Sequence, residues 1–101
     1  AIKKLSMLRI FTNPETNRLD LTIQETGFEI LAVSQFTLSW NGKKGNRPDF
    51  SNSLPSQEAR LQFELFCQKL SSFAKVEKGA FGAQMTVTVQ NDGPVTFHME
   101  F

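Results

Sequence analysis

Cysteine, histidine and tryptophan each occur once in this chain of 101 residues, and tyrosine does not occur at all. The single Cys67 excludes an internal disulfide and any multi-cysteine zinc site. The single His98 excludes a histidine-rich metal site, so no metal or cofactor is expected. An unpaired thiol suits a reducing compartment, and a cytoplasmic location is expected. Long hydrophobic runs are missing too. No stretch free of charged and strongly polar residues, residues 30–33 included, exceeds five residues, far below the roughly 20 that a membrane helix needs. No basic segment followed by an apolar one opens the chain as in a secretory signal. Neither sign of charge dominates: 11 Lys plus Arg face 10 Asp plus Glu, a formal net charge of +1. The overall balance therefore makes no case for nucleic-acid binding, which only a local patch can make.

What is present suits one soluble globular domain over residues 1–101. Hydrophobic residues make up 40% and charged residues 21%, too apolar for disorder. The 10 phenylalanines serve core packing, although exposed ones can also stack on nucleobases.

Ile2, Leu5 and Leu8 have helical spacing and look like the last turns of a helix. Residues 8–11 predict a short strand, and Asn13-Pro14-Glu15-Thr16-Asn17 a turn. Leu19, Leu21 and Ile23 alternate with polar residues, as in a half-buried strand. Residues 28–38 predict the strongest strand, apolar on both faces at its start. They end in Ser34-Gln35-Phe36-Thr37, polar groups carried by a rigid element. A loop with two glycines follows, carrying Lys43, Lys44 and Arg47. Pro55 then opens a helix, with Ser53 available as its cap. Ala59, Phe63, Phe66, Cys67, Leu70 and Phe73 or Ala74 form one apolar stripe along it, which makes Cys67 a small buried hydrophobe. Residues 78–83 read as a flexible connector. Met85, Val87 and Val89 predict a strand, and Val95, Phe97, Met99 and Phe101 another, with Asn91-Asp92-Gly93-Pro94 between. The order predicts an α/β (α+β) fold with a mixed β-sheet.

The chemistry is sparse. His98 shares a strand face with Thr96, so it is either a base or an idle strand histidine. Ser34 and Thr37 have no base near them in sequence, and no pair of carboxylates stands close together. Lys43, Lys44 and Arg47 either contact phosphates or stay solvated. Gly93-Pro94 between two strands is either a tight turn or a cis peptide.

Three segments taken together narrow these alternatives. They are Leu8-Arg9-Ile10-Phe11; Val33-Ser34-Gln35-Phe36-Thr37-Leu38 with Lys44-Gly45-Asn46-Arg47-Pro48-Asp49-Phe50; and Gly79-Ala80-Phe81-Gly82-Ala83 with Asn91-Asp92-Gly93-Pro94-Val95-Thr96. In this order and with these gaps the chain resembles the D-aminoacyl-tRNA deacylase family, over essentially its whole length. The resemblance implies a partly closed, barrel-like two-sheet core with helices on one face. It implies cytoplasmic homodimers with the active site at the subunit interface. Such enzymes hydrolyse the ester between a D-amino acid and tRNA, and many also act on mischarged glycine, a chiral proofreading step in translation. No membrane or DNA partner is implied.

For the site, the resemblance implies that Gly93-Pro94 is the Gly-cisPro motif, reaching into the partner's pocket to reject L-amino acids. Asn91 belongs to the same motif. Ser34, Gln35, Phe36 and Thr37 form the opposite wall, Phe36 meets the terminal adenine, and Phe81 and Ala59 lie near the pocket. Gln35 and Thr37 are the expected catalytic pair, acting by positioning or oxyanion hydrogen bonding, with the tRNA 2′-hydroxyl assisting and no protein nucleophile. Lys43, Lys44 and Arg47 are expected on tRNA phosphates. Family members carry an additional N-terminal segment with a Gln-Arg-Val stretch. The chain is therefore expected to be a fragment or a shortened relative. In the second case it would be a catalytically inactive module binding RNA or protein.

Overall fold

The computed structural model describes residues 1–93 and 95–101. Its elements, in chain order, are α1 (Ile2–Met7), β1 (Phe11–Asn13), β2 (Arg18–Leu21), α2 (Ile23–Thr26), β3 (Ile30–Ala32), a 3₁₀ turn (Phe36–Ser39), α3 (Ser56–Leu70) and β4 (Val76–Lys78). The mixed α/β class holds. The barrel-like detail is not confirmed, because the described strands form two separate two-stranded ladders and neither closes.

The first ladder is the antiparallel hairpin β1–β2, in register Phe11↔Leu21, Thr12↔Leu19 and Asn13↔Arg18, with a bulge between Phe11 and Thr12. Its turn follows the local chemistry. The Asn13 side-chain oxygen accepts the Glu15 N–H at 2.9 Å, and Asn17 sits at φ 56°, a left-handed conformation that asparagine tolerates. The expected strand through Ile23 ends early at Leu21. Thr22 caps a helical turn instead: its hydroxyl oxygen accepts the Glu25 N–H at 3.4 Å and donates to the Glu25 carboxylate at 3.2 Å. The first bond is the N-cap half of a capping box, while the carboxylate meets the hydroxyl rather than the Thr22 backbone N–H. Gly27, at φ 69°, ends the turn by donating its N–H to the Ile23 carbonyl.

The second ladder is parallel and pairs Ile30↔Val76, Leu31↔Glu77 and Ala32↔Lys78. A parallel pair needs a long crossover, and here α3 supplies it. The α3 stripe behaves as its spacing predicts: Cys67 and Leu70 are buried against Ala32, and Phe63, Phe66, Phe73, Ile2 and Leu5 pack around them. The α3 cap differs from expectation. Pro55 takes the cap position with no side-chain bond, and Ser53 turns its hydroxyl to Ser39, 2.6 Å away. Lys78 Nζ donates to the Glu64 carboxylate. This bond holds the Lys78 ammonium above the ordinary lysine range.

The strands expected over 28–38, 85–89 and 95–101 are largely absent. Strand β3 keeps three residues of the first, and from Ala83 onward no described residue is in a helix or strand. A strand needs a neighbour to receive its N–H and C=O groups, and among the described residues none runs beside this stretch. Its apolar side chains stay in water, with Val89 77% and Phe101 76% exposed. The accessible surface is consequently 8773 Å², against about 5,800 Å² for a compact chain of this mass. The radius of gyration is 16.0 Å, where about 13 Å is usual at this length.

Candidate functional site

The polar residues that end the first long apolar run are turned into a cleft wall by the 3₁₀ turn. Beyond Ala32 the chain leaves the ladder, passes through Ser34 and Gln35, and coils over Phe36–Ser39. The loop that follows folds back onto it. The Phe50 ring packs edge-on against Phe36, centroids 5.1 Å apart at 76°, and Ser53 bonds Ser39. Two short side-chain contacts thus pin the end of a long loop over the turn.

Between this wall and the segment after β4 lies a cleft of about 770 Å³, within the range of small-molecule sites. Ser34, Gln35 and Phe36 line it together with Phe81 and Gly82 and with Ala59 and Phe63 of α3. The turn at Gly82 has φ 70°, a backbone conformation that favours glycine. Among the described residues no charged side chain lines the cleft. Phe81 is held by two residues of α3: its ring lies 6.0 Å from that of Phe63, and the Arg60 guanidinium sits 5.2 Å over it.

Four of the residues singled out from the sequence, Ser34, Gln35, Phe36 and Phe81, therefore meet on this cleft, as does Ala59. Thr37 stands just behind the wall and is half-buried. Gln35 Nε2 donates to its hydroxyl oxygen, which leaves the Thr37 O–H proton free to donate elsewhere. Asn91 and Gly93 lie together in the exposed C-terminal stretch. A Cβ added at Gly93 would come within 2.9 Å of the Asn91 side-chain amide, so glycine there makes room for that amide. Neither lines the cleft. Pro94, and with it the expected cis bond, lies outside the described residues. Lys43, Lys44 and Arg47 are exposed on the loop and off the cleft lining. His98 shares no strand face with Thr96; its Nε2 lies 3.3 Å from Glu100 and the side chain is exposed.

Sequence reasoning missed Arg60 and the second role of Phe63. Phe63 was legible only as a core residue of the stripe, which it also is. Arg60 is exposed on α3, and nothing in its spacing separates it from a solvated charge.

Comparison with known proteins places this arrangement. The profile of the D-Tyr-tRNA(Tyr) deacylase family matches residues 1–100. A D-aminoacyl-tRNA deacylase from a Nitratiruptor species is 50% identical over 99 residues, covering 98% of this chain and 67% of the relative. Another, from Staphylococcus carnosus, is 46% identical over 99 residues, covering 97% and 65%. A solved structure of the c-Myc DNA Unwinding Element Binding Protein superposes with a TM-score of 0.81 at 36% identity, over 93% of this chain and 64% of that one. The chain thus spans about two thirds of the length of the proteins it matches. A profile match over residues 1–100 and relatives 46–50% identical over nearly the whole chain show that this chain belongs to the D-Tyr-tRNA(Tyr) deacylase family.

Proposed function

We propose that this chain hydrolyses the ester between a D-amino acid and the 3′ end of its tRNA, and glycyl-tRNA charged in error. The products are the free amino acid and tRNA. The observation that carries the reading is the cleft itself. It offers aromatic faces at Phe36 and Phe81 for a nucleobase and the reactant's side chain, with uncharged polar groups at Ser34, Gln35, Ser53, Ser56 and Gln84. Stacking on such faces is worth about 1–3 kcal/mol per base.

In the proposed reaction, water adds to the ester carbonyl carbon. The bond from that carbon to the ribose oxygen breaks, and the ribose oxygen takes up a proton while the acid leaves as carboxylate. Thr37, whose oxygen accepts from Gln35, uses its free O–H to donate to the carbonyl oxygen as negative charge develops there. Gln35 and Thr37 thus position and stabilise. Neither acts as a nucleophile, because no base among the described residues reaches Thr37, and the tRNA 2′-hydroxyl assists. Phe36 takes the terminal adenine. Asn91, Gly93 and Pro94 we assign to the rejection of L-amino acids in a partner's cleft, within a homodimer. A second copy would cover part of the exposed apolar surface of residues 95–101, which suits that assembly. The setting proposed is the cytoplasm.

The test is hydrolysis of D-tyrosyl-tRNA against L-tyrosyl-tRNA, with duplex DNA as competitor and the oligomeric state followed by sedimentation. Turnover of the D ester alone, insensitive to DNA, is the expected result. Equal turnover of both esters, or none of either at concentrations where the dimer forms, rejects the proposal.

A further inference from the structure

Among the described residues the cleft has no charged side chain on its lining, yet the substrate of the proposed reaction is a polyanion whose terminal nucleotide carries a phosphate. The loop cations expected to meet phosphate, Lys43, Lys44 and Arg47, stand off the lining. Arg60 stands at its edge. It follows the lining residue Ala59 on α3 and precedes the lining residue Phe63 by three positions, so it shares a helix face with Phe63. Its guanidinium lies 5.2 Å over the ring of Phe81, an aromatic of the lining.

Two features leave this cation available. Glu64, four residues on, is the natural helical partner of Arg60, but the ion pair it forms is with Lys78. Among the described residues Arg60 has no carboxylate partner. Stacking also occupies only the face of a guanidinium. The five N–H donors lie in its plane and point outward, in the fork that matches phosphate oxygens.

Resting on the deacylase reading, we propose that Arg60 binds the 5′-phosphate of the terminal nucleotide at the cleft rim, held for the purpose by Phe81. Arg60 is then what registers the nucleotide, so that the ester enters the cleft at the depth of the Ser34–Thr37 wall.

The test uses two nonhydrolysable probes, 3′-(D-tyrosylamido)-3′-deoxyadenosine and its 5′-monophosphate, titrated calorimetrically into the 101-residue chain. The wild-type chain is expected to bind the phosphorylated probe roughly threefold to tenfold more tightly at low salt, as befits a charge-assisted contact at an exposed rim. R60Q abolishes that preference and leaves the unphosphorylated probe unaffected, while R60K keeps part of it. The salt dependence of binding by the phosphorylated probe flattens in R60Q, as expected when an exposed charge contact is lost. A preference that survives R60Q, or that the wild type never shows, overturns the inference. So does an equal loss for both probes in R60Q, which would mean that Arg60 only steadies Phe81. If the wild type binds neither probe, the deacylase reading itself falls, and this inference with it.

Discussion

Residues 30–32 and 85–89 are both short and rich in aliphatic side chains, yet their fates are opposite. Ile30–Ala32 pairs with Val76–Lys78, and α3 covers it, so Ala32 is buried beside Cys67 and Leu70. Residues 85–89 have no ladder partner among the described residues and no helix above them, and Val87 and Val89 face water. Alternation of side chains tells which face of a strand would be buried. It does not supply the neighbour that satisfies the backbone, and without that neighbour the apolar face has nothing to pack against. The cleft is built where these two regimes meet. Its Ser34-Gln35-Phe36 wall hangs from the packed ladder, and Met85 and Val87 reach it from the unpaired stretch.

The contrast can be broken at several points. Leu70→Ala removes the most deeply buried side chain of the packed side, 2% exposed, and should cost about 2–5 kcal/mol in urea denaturation. Cys67→Ser puts a hydroxyl into the same cluster and should cost about 1–3 kcal/mol, more than Cys67→Ala if the polar group rather than the volume matters. Thr22→Ala removes the cap of α2 and should cost about 1 kcal/mol, read by the same transition. Val89→Ala, on the unpaired side, should change the stability of the monomer by less than about 0.5 kcal/mol. Hydrogen exchange sharpens the point: the amides of residues 84–93 and 95–101 should exchange nearly as fast as in a free peptide, while those of α3 and β4 stay protected. A large loss in Val89→Ala, or protection of those amides in the monomer, would show that the stretch is packed after all.

The smallest effect is electrostatic. Hydrogen bonding to Glu64 raises the folded-state pKa of Lys78. The stability this bond contributes is therefore fully present below the ordinary lysine pKa and is lost as pH rises through the raised value. Both partners are about half exposed, so the loss should be slight. Glu64→Gln should flatten whatever slope the unfolding midpoint shows on the alkaline side. An unchanged slope would assign it to other lysines.

Much of the fold was legible because its causes are local. The α3 stripe named the buried residues Cys67 and Leu70 correctly, since a 3.6-residue period leaves little choice of face. The turn chemistry at Asn13 and Asn17 was equally plain. One local signal was present and overlooked: Thr22-x-x-Glu25 before Gly27 spells a capped helical turn, and the alternation of Leu19, Leu21 and Ile23 masked it. The cleft was legible only in part. Ser34, Gln35, Phe36 and Phe81 could be named from their segments. Arg60 could not, because its distinction is a contact with a residue 21 positions away.

Residue order alone settled where helices start, stop and turn their apolar sides, because a helix satisfies its backbone within itself and its face follows from spacing. It also settled the absence of paired cysteines and the composition of the cleft wall. Tertiary structure decided which of the apolar stretches became strands, which side chains enclosed the cleft, and which cation stood at its rim. Those outcomes depend on groups far apart in sequence meeting in space, and the backbone bonds of a strand are made only when a distant segment comes to receive them.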